Sequence, residues 1–242
     1  MSHIILTGAT GLAGSAILHH CLNSPLVSRI SVLSRRAVEL GAGNEKLNCI
    51  IHKDFKSYPP ELLAQLQGAT ACIWAQGISA VGMKESDYTE ITVDYPIAAA
   101  QAFSTLNDGV PFNFIYVSGD RADPSGKYPQ MWARVKGRAE SLLLEMNKKT
   151  PSLSVYNVRP SFMDHGDNWT AQRHRGVRDK TIKLVAATLR LVIPSMVTPL
   201  DKFSEVLVSL AVDDGKPVPA GKGVLEGGRT LLNSALRSMA GL

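Results

Sequence analysis

Three glycines near the start of the chain have the spacing of a site that binds an anionic ligand. Gly8, Gly11 and Gly14 follow an apolar run, and an apolar helical pattern begins at once. This pattern indicates a strand that turns tightly into the N-terminus of a helix, where free N–H groups and the helix dipole favour a pyrophosphate. Gly8 would allow the turn, Gly11 the approach of a phosphate, and Gly14 the packing of the helix on the sheet. The spacing predicts a dinucleotide site, with Thr10 and Leu12 also beside the phosphates.

The end of the second predicted strand distinguishes the two nicotinamide dinucleotides. Enzymes that prefer NAD place an acidic residue there to bind the ribose 2′-hydroxyl, whereas a nearby arginine accommodates a 2′-phosphate. This chain has Arg35 and Arg36 at that position, and its first acid, Glu39, comes later. Because the paired donors of arginine suit a phosphate, these residues predict NADP(H). The alternative is two solvated surface arginines.

Two further segments that follow predicted strands are assigned to the same cofactor. Asp54 and Phe55 come after the third strand and are expected at the adenine. Ala75, Gln76 and Gly77 come after the fourth strand and are expected where the ribose approaches. In a doubly wound sheet, ligands bind beyond the carboxyl ends of the strands. Both segments are equally compatible with ordinary loops.

The composition is that of an ordinary globular domain. The chain has 242 residues, of which 45% are hydrophobic and 19% charged, and its net charge is +5, with basic residues that are scattered apart from one stretch at residues 173–183. Single cysteines without metal-binding spacing favour a reducing compartment and no metal. The first strand leaves no room for a signal peptide, and the longest apolar stretch, residues 184–197, is short for a membrane span. We therefore expect one cytoplasmic domain over residues 1–242, with a small-molecule substrate and no nucleic-acid or membrane partner.

Short β-rich runs alternate with helical patterns along the first two thirds of the chain. Strands are predicted at residues 4–7, 30–34, 49–52, 70–75, 112–118 and 154–158, and helices at 12–22, 61–66, 85–103 and 132–146. Such alternation predicts an α/β doubly wound parallel sheet, the Rossmann fold. Beyond Pro160 the pattern loosens, with helices expected near residues 181–191, 202–212 and 230–239. Residues 161–242 are therefore expected to form a lid that contributes most of the substrate pocket.

Several segments together resemble the short-chain dehydrogenase/reductases, most closely their NmrA-like and Tat-interacting-protein-like branch. The matching segments are TGATGLAG at 7–14, VLSRR at 32–36, the region of Asp94, YVSG at 116–119, WARVKGRAE at 132–140 and VRPSF at 158–162. They occur in the order that the family has. The resemblance implies an NADP-dependent oxidoreductase in which Ser118, Lys136 and Pro160 lie beside the cofactor.

The resemblance fails at the residues that this family uses for proton transfer. Its enzymes have a tyrosine four residues before the lysine, and that tyrosine protonates the forming alkoxide. This chain keeps Lys136 but has Trp132 in the tyrosine position, and an indole N–H is not a usable acid. Tyr128 precedes Pro129, which places it in the loop before the helix. After the fifth strand, Gly119 stands where the family often has a second serine.

Two interpretations of this loss remain open. The protein either binds NADP(H) without turnover, as NmrA-like regulators are thought to do, or reduces a substrate that needs no proton. A cationic imine is such a substrate, because hydride addition gives a neutral amine and a nearby carboxylate stabilises the cation. Asp164 and Asp167 are candidates to pair with the cation, and Trp169 to stack on it. The alternative for both carboxylates is a role as solvated loop residues.

Residues after the fifth strand complete the predicted substrate side of the site. Asp120 and Arg121 face the same crevice, and Trp132 would floor the pocket where the tyrosine usually stands. Arg121, Asp164 and Lys136 are the predicted catalytic residues.

The missing tyrosine, the retained lysine and the Asp/Trp pair resemble a small fungal group of this superfamily. Its members reduce an iminium with NADPH and shape the product for a [4+2] cycloaddition in prenylated indole alkaloid biosynthesis. The residues therefore favour a biosynthetic reductase of this type. The alternatives are an ordinary carbonyl reductase that uses Tyr128 or water, and a redox-sensing regulator. A homo-oligomer is compatible with the Ala-rich face of the helix over residues 85–103.

Overall fold

The site is built on a central sheet to which both ends of the chain contribute. The computed structural model describes residues 1–107, 109–164 and 193–242. In this part of the chain the strands are β1 (Ser2–Thr7), β2 (Val27–Ser34), β3 (Leu47–Ile51), β4 (Ala71–Trp74), β5 (Phe112–Val117), β6 (Leu153–Arg159), β7 (Phe162–Asp164), β8 (Val197–Pro199), β9 (Val224–Leu225) and β10 (Thr230–Leu232).

The order of the strands creates a crevice beside β1. The central sheet runs β3-β2-β1-β4-β5-β6-β10-β9, and all neighbours are parallel except β9, which is antiparallel to β10. β7 and β8 form a separate parallel pair. The direction of winding reverses between β1 and β4, and such a point leaves space for a ligand beyond the carboxyl ends of the strands. The predicted doubly wound α/β sheet is confirmed.

Helices cover both faces of this sheet. They are α1 (Leu12–Asn23), α2 (Pro60–Leu66), α3 (Glu85–Thr89), α4 (Tyr95–Phe103), α5 (Met131–Lys149), α6 (Leu200–Val212) and α7 (Asn233–Met239). Side chains alternate along a strand, so Ile4 and Leu6 of β1 pack with α1, α6 and α7, whereas Ile5 packs with α2 to α5. Phe203 and Leu207 of α6 are buried in the first of these cores. The described residues after 192 therefore form part of the domain core.

The helix predicted over residues 85–103 is interrupted. A π-helical segment, Glu90–Asp94, separates α3 from α4, and in it the N–H of Tyr95 donates to the carbonyl of Glu90. Pro96 follows in the first turn of α4. Proline has no N–H and clashes with the carbonyl four residues earlier in a regular helix. The wider turn before it accommodates the proline, a local change that apolar periodicity does not reveal.

The last predicted helix, over residues 230–239, is wrong in its first three residues. Thr230, Leu231 and Leu232 form β10, which pairs in parallel with β6, and helix α7 begins at Asn233. A short apolar run fits a strand or a helix equally well, and here the open edge of β6 decides the outcome. The other predicted elements are present with ends shifted by at most three residues, and the helix predicted at 181–191 lies outside the described residues.

Replacing Gly14 with alanine should destabilise the protein, although alanine favours helices. A Cβ at Gly14 would lie 2.1 Å from the carbonyl oxygen of Gly8. Relieving such an overlap costs about 1–3 kcal/mol, which exceeds the gain of roughly 1 kcal/mol from alanine inside a helix. The free energy of unfolding in denaturant measures the difference. Gly77→Ala is the control, since no atom lies within 4 Å of a Cβ there. A Gly14→Ala protein as stable as the control would contradict this packing.

Candidate functional site

A cleft of about 470 Å³ opens at the carboxyl ends of the strands on either side of β1. Its walls come from the β1–α1 turn and from the loops that follow β2, β3 and β4. The lining residues are Gly8, Thr10, Gly11, Leu33, Ser34, Arg35, Arg36, Phe55, Ala75, Gln76 and Gly77. All except Leu33 and Ser34 are residues that the sequence assigns to the cofactor. The fold therefore brings four separate predicted segments to one place.

The β1–α1 turn packs closely against the loop after β4 and leaves the first amides of α1 without a side-chain cap. Gly8 has a φ of +71°, and a Cβ there would lie 2.3 Å from the carbonyl oxygen of Ala75. Only glycine lets the turn approach the loop after β4 this closely. Gly11 is the N-cap of α1 and has no side chain to cap the first-turn amides, so these N–H groups can hold an anion. Thr10 lines the cleft, whereas Leu12, the first residue of α1, does not.

Two arginines lie at the side of the cleft where β2 ends. Arg35 and Arg36 are exposed, and neither forms an ion pair within the described ranges. The hydroxyl of Ser34 accepts the N–H of Arg36 at 3.4 Å, and the carbonyl of Ser34 accepts the N–H of His52 at 2.9 Å. The backbone is thus fixed while both guanidinium groups can contact a ligand. A phosphate is the group that such paired donors fit best.

The segment predicted to contact the adenine is divided between the cleft and the surface. Phe55 is 1% exposed and lies at the wall of the cleft, packed edge-on against Trp74 with 5.9 Å between ring centroids and stacked on Tyr95. Asp54 does not line the cleft, and its Oδ1 accepts the N–H of Lys56 at 3.1 Å. Phe55 therefore forms a rigid wall of the cleft, whereas the Asp54 carboxylate holds a turn.

Lys136 and Ser118 form a second polar group at the carboxyl end of β5. The Nζ of Lys136 donates to the carbonyl oxygen of Ser118 at 2.8 Å. The hydroxyl of Ser118 is buried and has no partner among the residues that the structure describes. Burial lowers the pKa of Lys136 to about 8, although the carboxylate of Glu140 acts in the opposite direction. This hydroxyl is available to form a hydrogen bond with a ligand that reaches the end of β5.

Three of the residues that the sequence assigns to the cofactor lie outside the cleft. Ser118, Lys136 and Pro160 do not line the 470 Å³ cleft. Ser118 follows β5, Lys136 lies on α5, and Pro160 follows β6. β5 and β6 are the next two strands of the sheet after β4. A dinucleotide that crosses the switch point would reach from the first group of residues to the second.

A half-buried indole lies where the enzymes that the chain resembles have a tyrosine. Trp132 lies one turn before Lys136 on α5, and its side chain packs against the core beneath α2 to α5. Tyr128 lies in the preceding loop, where its hydroxyl accepts a hydrogen bond from Nη1 of Arg121 at 3.1 Å. The carboxylate of Asp123 accepts the N–H of Tyr128 at 2.7 Å. Tyr128 is thus held in the loop, as its position before Pro129 predicted.

A buried ion pair supports this end of the site and was not predicted from the sequence. Arg159 of β6 donates from Nε to both carboxylate oxygens of Glu140 on α5, at 2.9 and 3.1 Å, and from Nη2 to one of them. Their side chains are 11% and 1% exposed. The signal in the sequence is an arginine that ends an apolar strand, combined with a glutamate one turn after Lys136. The pair fixes α5, and hence Lys136, against β6.

The residues predicted to contact the substrate are only partly described. Asp164 ends β7 and is 7% exposed. Asp120 and Arg121 are exposed on the loop after β5. Asp167 and Trp169 lie outside the described residues. Within the described ranges, no group of His, Cys, Asp and Glu residues could hold a metal ion.

The chain is similar to two fungal proteins that are named after biosynthesis clusters. No protein-family model matches it. It is 35% identical over 182 residues to the leucinostatins biosynthesis cluster protein T of Purpureocillium lilacinum, an alignment that covers 67% of this chain and 65% of that protein. It is 29% identical over 161 residues to the botcinic acid biosynthesis cluster B protein 16 of Botryotinia fuckeliana, which covers 60% of this chain and 98% of that protein. The chain thus spans just under two thirds of the first relative and nearly all of the second.

The name of a third relative describes a mitochondrial protein. The mitochondrial protein fmp52 of Emericella nidulans is 27% identical over 144 residues, which cover 58% of this chain and 59% of that protein. In the part of the chain that the structure describes, none of the helices has the length and apolar character needed to cross a membrane. The cytoplasmic location stays a prediction.

Solved structures share the fold over most of the chain. The PhqB reductase domain from Penicillium fellutanum has a TM-score of 0.65 at 18% identity and covers 87% of this chain and 64% of its own. The short-chain dehydrogenase/reductase YIR035C from Saccharomyces cerevisiae has a TM-score of 0.68 at 13% identity, covering 98% and 99%. Vestitone reductase from alfalfa has a TM-score of 0.64 at 18% identity, covering 91% and 75%. At these identities the similarity establishes a Rossmann-like α/β fold and nothing beyond the fold.

The stability of the protein relative to a Lys136→Met variant should rise as the pH increases from about 8 to 10.5, the pKa of an unperturbed lysine. In this range the unfolded chain still binds a proton on Lys136 that the folded chain has released, so raising the pH favours the folded state. This change in relative stability is at most about 1.4 kcal/mol per unit of pKa shift. Because the side chain is only half-buried, solvent screening makes the change smaller than this limit. Denaturant unfolding of both proteins across this range measures the difference. Parallel pH profiles would contradict the lowered pKa.

Proposed function

We propose that this protein is an NADPH-dependent reductase of a small biosynthetic intermediate. The observation that supports this most strongly is the continuous set of ligand-binding features at the switch point of the sheet. A glycine turn with an uncapped helix end, two exposed arginines, and Lys136 with its Ser118 partner follow one another across the carboxyl ends of the strands. These are the features expected at the pyrophosphate, the 2′-phosphate and the nicotinamide ribose of one dinucleotide.

Each group of residues has a distinct task in this proposal. The first-turn amides of α1 bind the diphosphate, and Phe55 forms the adenine wall. Lys136 donates to ribose hydroxyls while its bond to the Ser118 carbonyl fixes the side chain. The coenzyme, when bound, supplies a hydride. The names of the two fungal relatives, which refer to biosynthesis clusters, support a role in secondary metabolism.

Removing Arg35 and Arg36 should abolish the preference for NADPH over NADH. In the Arg35→Ala/Arg36→Ala protein we expect NADPH affinity to fall about 10- to 100-fold, since a hydrogen bond to a charged group contributes roughly 1.5–3 kcal/mol. NADH affinity should change little, because NADH lacks the 2′-phosphate. Isothermal titration calorimetry with both coenzymes measures the ratio.

An Arg138→Ala/Lys148→Ala protein is the matched control for this measurement. It loses two positive charges from the surface of α5, outside the cleft. The control should keep the wild-type ratio of affinities. If the two double variants behave alike, the arginines act only through the net charge and NADP(H) specificity lies elsewhere.

The presence of Trp132 in place of a tyrosine favours a substrate that needs no proton from a phenol. An iminium ion accepts hydride at carbon and becomes a neutral amine, so no proton has to be delivered. Asp164, buried at the end of β7, would supply the negative charge that stabilises the cation. An indole at the former tyrosine position adds an aromatic face for a cation. The resemblance to the fungal alkaloid group extends this proposal to a subsequent [4+2] cyclisation in the same pocket.

Asp164→Asn should lower turnover of a cationic imine without weakening coenzyme binding. The change keeps the size of the side chain and removes its charge, so we expect kcat to fall about 10- to 100-fold, in line with the loss of one electrostatic stabiliser. Oxidation of NADPH with an N-alkyl dihydroisoquinolinium measures kcat, and NADPH titration measures the affinity. Lys136→Ala is the contrasting variant and should weaken NADPH binding more than Asp164→Asn does. Equal NADPH affinity in the wild type and both variants would contradict this division of roles.

The observation at Trp132 also favours a second candidate, a redox-sensing regulator that binds NADP(H) without turnover. A site without a proton-donating tyrosine can bind NADP⁺ and NADPH with different affinities and still catalyse no hydride transfer. Absence of NADPH oxidation with every imine and carbonyl tested, together with a partner affinity that differs between NADP⁺ and NADPH, would support the regulator. Consumption of NADPH with formation of an amine or alcohol would support the reductase.

A further inference from the structure

The loss of the tyrosine leaves the question of whether this site can protonate a substrate at all. A permanently charged iminium needs no proton, but an uncharged C=O or C=N group does. An acid at this position must be close to the carboxyl end of β5, shielded from bulk water and able to return to its protonated form. Lys136 is the residue on α5 that combines these properties.

We propose that Lys136 itself donates the proton in place of the missing tyrosine, so that the site reduces uncharged C=O and C=N groups as well as iminium ions. The proposal rests on the reductase function proposed above. Hydride from the reduced nicotinamide forms the new C–H bond, and the C=O or C=N π electrons move to the heteroatom. One Nζ–H bond of Lys136 breaks as an O–H or N–H bond forms. Lys136 becomes a neutral amine and regains its proton from water.

The contacts of Lys136 favour this role. Its Nζ is anchored by the Ser118 carbonyl at 2.8 Å, and an ammonium group has three hydrogens, so others remain for ribose and substrate. A Cβ at Gly119 would lie 3.6 Å from Nζ, so a serine there would narrow the space around the ammonium. The glycine keeps that space open.

Burial makes Lys136 a better acid than an ordinary lysine. Burial lowers its pKa to about 8, near physiological pH, where proton donors are most effective. Glu140 on the same helix opposes this shift, but its carboxylate is bound by Arg159 of β6. The charged groups on the other packed elements lie at the surface or in ion pairs. Asp87, Asp94, Asp120 and Arg121 are exposed, Glu85 pairs with Arg134, and Glu90 pairs with Lys56. Tyr116 of β5 and Tyr88 of α3 are buried, and burial raises the pKa of both phenols, so they stay neutral.

The test compares two substrates and two variants at saturating NADPH. Benzaldehyde requires a proton, whereas an N-methyl dihydroisoquinolinium does not. We expect the rate with benzaldehyde to fall above pH 8 and the rate with the iminium to show no such fall. Lys136→Arg keeps a cation and a donor for the Ser118 carbonyl but does not release its proton in this range. Lys136→Arg and Lys136→Met should therefore reduce turnover of benzaldehyde at least tenfold more than turnover of the iminium.

The outcomes separate the two proposals. If both substrates lose turnover equally in the variants, Lys136 only holds the coenzyme and the proton-donor role is wrong. If only the iminium is reduced by the wild type, the site delivers no proton and the role is also wrong. If neither substrate is reduced, the reductase function itself fails, and the proton-donor role fails with it.

A measurement without turnover adds an independent test. ¹³C NMR of lysine-labelled protein with NADP⁺ bound gives the titration of Lys136, whose signal is assigned by its absence in Lys136→Arg. A midpoint within about one unit of 8 supports the role, because such a group can donate and recover a proton near neutral pH. A midpoint above 10 overturns it whatever the activity shows.

Discussion

The contact between the β1–α1 turn and the loop after β4 is the constraint on which the rest of the site depends. Gly8 touches the backbone of Ala75 and Gly14 touches the backbone of Gly8, so no side chain can be added at either glycine without displacing main chain. This contact fixes the N-terminus of α1 at the point where the winding of the sheet reverses. The Arg35–Arg36 pair and the wall formed by Phe55 line the same cleft as the turn that precedes this helix end.

The other end of the site depends on how charge is buried. Glu140 and Arg159 form an ion pair between α5 and β6, and Lys136, one turn before Glu140, lies half-buried with the Ser118 carbonyl as its acceptor. Breaking a buried pair leaves an uncompensated charge, so changes at Glu140 or Arg159 would disturb Lys136 indirectly. The nicotinamide end of the proposed site is therefore an electrostatic unit that joins α5, β5 and β6.

The differences between prediction and structure occur where tertiary contacts override local patterns. Residues 230–232 form a strand because β6 offers them an unpaired edge, and no local signal in TLLNSAL distinguishes this from a helix turn. The helix over residues 85–103 contains a π-helical segment because Pro96 must be accommodated. Asp54 was assigned to the cofactor from its position after a strand, but its carboxylate is used by the turn that it begins.

The sequence alone determined the doubly wound fold and most of the cleft, because glycine spacing, strand alternation and the two arginines are local patterns with direct physical consequences. It also places Trp132 four residues before Lys136, where the enzymes that the chain resembles have a tyrosine. Only the tertiary structure decided which strand ends meet, that the hydroxyl of Ser118 is buried without a partner among the described residues, and that the pKa of Lys136 is lowered. These properties depend on burial and on neighbours distant in the chain, and no local pattern encodes them.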